Sequence, residues 1–458
     1  MLEQLEAILP RYETAAPRYT SYPTAPAWGD AYGPDEYRRD LGAVEPGAPL
    51  SLYAHVPFCR SLCHFCACNR VITRDEALPA RYLEAVEREV AAVRAAIPEP
   101  GPVSQVHWGG GTPTHLDPDQ LRRLFAALTD PFSVADDAEI SIEVDPRVTS
   151  GEQLQALREC GFNRISMGVQ DFEPQVQEAI HRTQSAEQTD QLVADARRLG
   201  FQSVSLDLIY GLPFQRPETF ERTLKTVLDI GPDRVALYGY AHVTWVAKQQ
   251  RGFERKDLPD AATRLGVFTL AIRRFLEAGY VHVGMDHFAR PEDELVRALR
   301  ERTLRRNFMG YTTQAGVELL GFGPSAISEL SGSFAQSHRD LDAWEDAVRT
   351  TGFATMRGHV LTDEDRVRRW VISRIMCLGE VRAAEFEALY GGVFAERFAP
   401  ELARLETEEA DGLVVREADG SLTVTELGRI LIRNVASVFD AYLGEQRKLE
   451  RPLFSKTV

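Results

Sequence analysis

The chain has 458 residues, 44% of them hydrophobic and 26% charged, the balance of a globular protein with room for two or three domains. Its formal net charge of −16 opposes extended contact with nucleic acid or an anionic membrane. No stretch is long and apolar enough to span a bilayer.

The N-terminus, MLEQLEAILPRYETAAPRYT, lacks a basic flank followed by an apolar run, so it does not read as a secretory signal, and a cytoplasmic protein is expected. PRYTSYPTAPAW (17–28) is rich in Pro, Tyr and Thr and reads as an extended arm. Its aromatics, Tyr19, Tyr22 and Trp28, favour packing over disorder.

From residue 50, apolar β-branched runs alternate with helical stretches. The runs are LSLYAHVPF (50–58), VSQVHWGGG (103–111), EISIEVDP (139–146), RISMGVQ (164–170), SVSLDLIYGLP (203–213) and RVALYGYAHV (234–243), with YVHVGMDHFA (280–289) as a seventh. Segments such as 77–97 and 185–200 carry helical apolar spacing. This alternation predicts βαβ units, a parallel sheet and a full or partial β/α barrel. The runs end in polar residues or glycine (His55, Gly110, Glu143, Gln170, Asp207, His242), where barrel enzymes place their sites.

The last hundred residues change character. LTDEDRVRRWVISRIMCL (361–378) is amphipathic, with a capping-box pattern at Thr362 and Asp365. Residues 385–408 read as helix broken near Gly391–Gly392, and 412–435 as strand, Asp-Gly turn, strand, helix. The expected division is an N-terminal arm (1–48), a partial β/α barrel with its extension (49–355) and a small, mostly helical, winged-helix-like domain (356–458).

Four of the six cysteines fall within HVPFCRSLCHFCACNRV (55–71): Cys59, Cys63, Cys66 and Cys68. A zinc site commonly uses two separated cysteine pairs, and no second pair exists here. A thioredoxin-like site needs only one Cys-x-x-Cys pair. Close spacing on one loop suits an iron–sulfur cluster, with three thiolates on three irons and the fourth iron open. Cys68 is then left over, and Cys160 and Cys377 read as core residues in helical contexts. In WGGGTPT (108–114) the glycines let backbone approach a ligand, or serve a plain turn. Glu143, Gln170 and Asp207 are polar groups in or at the ends of apolar strands, which need a partner or a ligand. Arg182 suits a carboxylate, or is an ordinary surface arginine.

The Cys59-x₃-Cys63-x₂-Cys66 loop after the first strand resembles the radical S-adenosylmethionine (SAM) superfamily. PRYTSYPTA, LYAHVPFCRSLCHFCACN, VHWGGGTPT, ISIEVDP, SMGVQDF, DLIYGLP, GMDHFARPEDEL, RRNFMGYTTQ, GFGPSAIS and LGRILIRN together resemble the oxygen-independent coproporphyrinogen III oxidases, along nearly the whole chain. That resemblance implies an oxidoreductase of heme biosynthesis that turns two propionates of coproporphyrinogen III into vinyls, giving protoporphyrinogen IX. It implies a 4Fe–4S cluster on Cys59, Cys63 and Cys66, and two SAM molecules. Tyr53, Gly110, Glu143 and Ile327 match contacts to the first. Phe65, Gly111, Thr112, Gln170, Arg182, Asp207 and Ala241 match contacts to the second. Tyr53, Glu143 and Arg182 count among the catalytic candidates with His55, which positions the cluster, donates a proton, or is simply a buried histidine bonded to backbone. The acidic member of the superfamily's GGE-like motif is absent, Thr112 standing in its place. Arg18, Arg290 and Arg306 are candidates for the substrate carboxylates. An unidentified electron donor and acceptor are implied, and a monomer is expected. Two rivals stand: another radical SAM enzyme using the second SAM as carbon donor, and a heme-delivering relative. The arm and the CxC ending weigh against the latter.

Overall fold

The computed structural model describes residues 2–244, 247–446 and 454. Six parallel strands form its centre: β1 (Leu50–Val56), β2 (Val103–Gly110), β3 (Val134–Val144), β4 (Arg164–Gln170), β5 (Ser203–Tyr210) and β6 (Arg234–Gly239). They follow the order in which they occur in the chain, successive strands being joined through helical crossovers. The expected seventh strand is instead two short ones, β7 (Val281–Gly284) and β8 (His287–Ala289). The chain reverses at Met285 (φ 20°), and β8 runs antiparallel to β6. The run therefore extends the sheet but does not continue the parallel barrel.

The hairpin of β9 (Arg305–Asn307) and β10 (Gly310–Thr312) stands apart. On the other side of β1 the sheet gains four strands that the alternation did not announce: β11 (Glu318–Phe322), β12 (Ile327–Glu329), β13 (Ser333–Ser337) and β14 (Thr355–Val360). Only β11 is parallel to β1; the rest are antiparallel. The result is one open, twelve-stranded sheet, a partial barrel with antiparallel edges.

Two N-terminal helices, α1 (Leu2–Tyr12) and α2 (Pro34–Gly42), flank the irregular arm. α1 carries Pro10, which hides it from periodicity. Helices α3 (Ala77–Ala96), α4 (Pro118–Thr129), α5 (Gly151–Glu159), α6 (Ala186–Leu199), α7 (Pro217–Ile230) and α8 (Ala261–Glu277) cover the sheet. Their ends follow capping chemistry. Asp117 and Ser185 accept backbone N–H groups at the starts of α4 and α6, and Gly200 (φ 91°) closes α6. The main core joins these helices to the strands through fully buried Trp108, Phe162, Phe220 and Phe275.

α9 (Leu341–Thr351) precedes β14, and α10 (Asp363–Leu378) begins the C-terminal part, with Thr362 and Asp365 bonded as a capping box. Residues 383–410 fold as short helices interrupted at Gly391 and Gly392, both at positive φ. β15 (Glu380–Val381), β16 (Val414–Arg416) and β17 (Leu422–Val424) form a small sheet with β17 central, a winged-helix-like arrangement. The arm locks this part to the barrel. Tyr19 and Tyr22 enter its core beside Ile375 and Phe439, and Arg433 donates to the carbonyls of Ala16 and Pro17. Trp28 stacks on Phe334 of β13.

Candidate active site

The cysteine loop starts where β1 ends. Its base is pinned by a two-residue parallel pairing of Phe58–Cys59 with Val71–Ile72. The carbonyls of Phe65 and Cys66 accept from Gln250 (2.9 Å) and Gln249, and His181 Nδ1 lies 2.9 Å from the carbonyl oxygen of Leu62. His55 is buried, with Nε2 2.8 Å from the Asn69 carbonyl oxygen and Nδ1 3.1 Å from the Tyr53 hydroxyl. It ties β1 to the far end of the loop.

Cys59, Cys63 and Cys66 line one cavity of about 340 Å³ at the carboxyl ends of the central strands. With them stand Phe65, Gly110, Gly111, Thr112, Glu143, Gln170, Arg182 and Asp207. Eleven sequence candidates, counting these, thus converge on one space. Tyr53, His55, Ala241 and Ile327 are not on its wall. Tyr53 stacks on His107, whose Nε2 lies 3.4 Å from Glu143 Oε1. The Ala241 carbonyl accepts from Gln250, which also holds Phe65. Ile327 lies on β12 in a separate, smaller cavity under the arm.

The glycines of β2 admit their neighbours in the protein itself. A Cβ at Gly109 would come within 2.8 Å of the Glu143 carboxylate, and one at Gly110 (φ 111°) within 2.7 Å of the His55 ring. Gln170 also has positive φ (69°), at a register shift against β5, which swings its side chain into the cavity.

Charge here is arranged by burial and pairing. The Glu143 side chain is 46% exposed to the cavity. Burial pushes its carboxyl upward, but the His107 contact and the Gly110 N–H outweigh it and hold the group below its ordinary range. Asp207 accepts a 3.0 Å bond from Ser166. Burial, then the nearby Glu143 charge, push its carboxyl up to about 7. Arg182 was open as a surface residue; it is buried. It donates to Asp145 (3.1 Å), to the Gly168 carbonyl (2.5 Å) and to the Cys63 sulfur (3.6 Å). Arg147 bonds the same Asp145 and, at 3.5 Å, the same sulfur. Thr112 Oγ1 lies 3.5 Å from the Cys59 sulfur. The neighbouring Cys68 thiol lowers the Cys66 thiol, and the Cys68 thiol is itself raised.

The donor set fits an iron–sulfur cluster. Four free thiols, Cys68 among them, line the cavity; two arginines donate to the Cys63 sulfur, and the Thr112 hydroxyl lies beside Cys59, whose thiol burial pushes up to about 11. Among the described residues no three His, Cys, Asp or Glu gather closely enough to hold a single metal ion. Asp145, Arg147, Ser166 and Tyr238 belong to this site and escaped the sequence reading. The signal for Asp145 was an Asp-Pro-Arg step directly after the Glu143 strand.

The substrate-carboxylate candidates separate. Arg290 donates to the Gly231 and Pro232 carbonyls and is not on the wall of the cysteine cavity. Arg18 pairs with Asp286, and Arg306 lines a different cavity, between the arm and α10.

Comparison with known proteins bears on the whole chain. Residues 53–227 match the radical SAM superfamily model and residues 361–431 the model of the HemN C-terminal domain. The chain is 43% identical to an oxygen-independent coproporphyrinogen III oxidase of Synechocystis sp., over 98% of this chain and 97% of that protein. It is likewise 43% identical to one of Escherichia coli, over 99% and 98%. A solved structure of coproporphyrinogen III oxidase (HemN) from Escherichia coli, described as a radical SAM enzyme, superposes with a TM-score of 0.90 at 42% identity, over 95% of this chain and 98% of that one.

Proposed function

The chain belongs to the oxygen-independent coproporphyrinogen III oxidases, and on that premise we propose how its residues divide the work. It is a radical SAM oxidoreductase of heme biosynthesis that converts two propionate side chains of coproporphyrinogen III to vinyls, giving protoporphyrinogen IX. Each propionate loses carbon dioxide, one hydrogen atom and one electron.

Cys59, Cys63 and Cys66 would hold a 4Fe–4S cluster, which together with bound SAM would supply radical hydrogen abstraction from an unactivated carbon. The chain's own groups do the rest. Arg147 and Arg182 stabilise the Cys63 thiolate through charge-assisted hydrogen bonds. Glu143, ionised at the cavity wall, accepts from the amino group or hydroxyls of a first SAM. Tyr53, through its stack with His107, fixes the ring beside that carboxylate. Asp207 and Gln170 face the second SAM. His55 holds the loop in place; its two ring nitrogens are already engaged, which favours positioning over proton donation. Phe65 and Ala241, joined through Gln250, close one side.

The observation that carries this reading is the convergence of three thiols with Glu143, Gln170, Arg182 and Asp207 on one cavity. We read the protein as a cytoplasmic monomer served by an electron donor and an acceptor of unassigned identity, away from nucleic acid and membrane. Its charge of −16 supports the separation from nucleic acid and anionic membrane, and among the described residues no helix is long and apolar enough to cross a membrane.

The test is an anaerobic assay of cluster-reconstituted protein with coproporphyrinogen III, SAM and a reductant. Protoporphyrin, read by fluorescence after oxidation, is expected together with 5′-deoxyadenosine. Deoxyadenosine without protoporphyrin would move the substrate to another class. Neither product from cluster-loaded protein would overturn the reading in favour of heme binding.

A further inference from the structure

We propose that a second cavity, between the arm and α10, binds carboxylate groups of a polyanionic ligand. It measures about 530 Å³. Residues 19–22 of the arm, the β9–β10 hairpin and one face of α10 enclose it. Five arginines line it: Arg305, Arg306, Arg366, Arg369 and Arg374. Glu329 is the one acidic residue on the wall among the described residues, and it is paired with Arg369. Arg374 stands 3.3 Å from Glu385 behind the wall. Arg366 and Arg305 donate to the backbone carbonyls of Ser331 (2.7 Å) and Leu304 (3.1 Å). A concentration of cations this dense is out of keeping with a chain of net charge −16.

Arg306 is the sharpest observation. Its side chain is 4% exposed, and its Nε and Nη1 have no hydrogen-bond partner. Its nearest carboxylate, Asp286, lies 4.0 Å away and already takes Arg18 and His287. Its guanidinium also lies 4.7 Å over the Tyr311 ring, but two of its nitrogens lack a hydrogen bond, and the group that fills such a fork best is a carboxylate. Because the arginines stand on two walls, one ligand must carry more than one carboxylate.

Two sources fit that chemistry: the propionates of the porphyrinogen that stay intact, or a free polycarboxylate. The first rests on the proposed reaction, and two features favour it. Trp370, its ring faced by Arg374 at 5.1 Å, adds an aromatic group to the wall. Asp286 links Arg306 to Arg18, whose guanidinium lies 5.4 Å over the Tyr238 ring, and Tyr238 lines the cysteine cavity.

The test measures binding to the full, cluster-reconstituted chain of coproporphyrin III, its tetramethyl ester and citrate. The double variant Arg305→Gln/Arg366→Gln leaves the Arg369–Glu329 and Arg374–Glu385 pairs in place. It is expected to weaken coproporphyrin III about tenfold or more while leaving the ester unchanged. Loss of citrate binding with unchanged porphyrin affinity would support the carboxylate site and assign it to a free polycarboxylate. Unchanged affinity for both acids, in the double variant and in Arg306→Gln, would overturn the proposal. Failure of the proposed reaction would show separately, as absence of protoporphyrin from the wild-type chain in the anaerobic assay.

Discussion

Arg182 and Asp145 form a buried ion pair at 3.1 Å, their side chains 7% and 8% exposed, directly behind the Cys63 sulfur. Asp145 also takes Arg147, so one carboxylate balances two guanidinium groups. Removing it leaves both uncompensated, which in buried pairs costs about 3–5 kcal/mol. Asp145→Ala is expected to lower the urea midpoint accordingly and to reduce the iron bound per chain. Arg182→Lys keeps the charge but loses the fork that spans Asp145 and the Gly168 carbonyl. It should retain the fold and raise KM for SAM. Full stability of Asp145→Ala would refute the pairing.

The thiols should divide three to one. Ser at Cys59, Cys63 or Cys66 removes a ligand, and each variant is expected to lose the visible absorbance of the cluster and all deoxyadenosine formation. Cys68 also lines the cavity, but it lies two residues past the third cysteine of the Cys59-x₃-Cys63-x₂-Cys66 loop. Cys68→Ser should therefore keep its iron. Iron and sulfide analysis after anaerobic reconstitution reads the difference; a cluster-free Cys68→Ser would make Cys68 a ligand.

Asp207 titrates near neutrality. Burial raises its carboxyl to about 7, and the Glu143 charge adds to the effect. The kcat/KM profile against pH is expected to bend near that value, and Asp207→Asn should remove the bend. Glu143→Gln removes the neighbouring charge, so any residual activity should bend at lower pH. SAM affinity measured alongside separates this from loss of binding. An identical bend in all three proteins would assign it to another group.

The cysteine loop and the polar strand ends were legible because each depends on local spacing: a close set of thiols, and period-two runs that stop at Glu143, Gln170 and Asp207. The parallel strands were legible for the same reason. What escaped depends on contacts between distant segments. Asp145, Arg147 and Ser166 look like ordinary loop or strand polar residues until β3, β4 and β5 stand side by side. Strands β11 to β14 were hidden because three of them pair antiparallel, outside the βαβ rhythm, and Ile327–Glu329 is too short to show periodicity. The fate of 280–289 turned on the reversal at Met285, a backbone feature that composition does not announce.

Glu89 is a case where structure reverses the plain reading of a helix residue. In EREVAAVR it looks like a solvated charge, yet it is buried on α3 against the sheet. Its oxygens accept from the Gly323 N–H at 2.8 Å and the Trp344 indole at 3.2 Å. Burial nevertheless pushes its carboxyl up to about 8. In the unfolded chain a glutamate titrates near about 4.3. Between those values the folded protein holds a proton that the unfolded chain has released. Stability contributed at this residue therefore falls as pH rises through that window, by up to about 1.4 kcal/mol per pH unit, and levels off above the folded value. Glu89→Gln cannot ionise. Its amide NH₂ must face one of the two N–H donors, at a cost of about 1–3 kcal/mol that does not vary with pH. The variant is expected to be less stable than wild type near about pH 4.5 and more stable than wild type near about pH 8.5. Urea unfolding of both proteins at the two pH values measures it. A gap that stays constant would mean Glu89 is ionised throughout, with its two N–H donors sufficient to hold the charge.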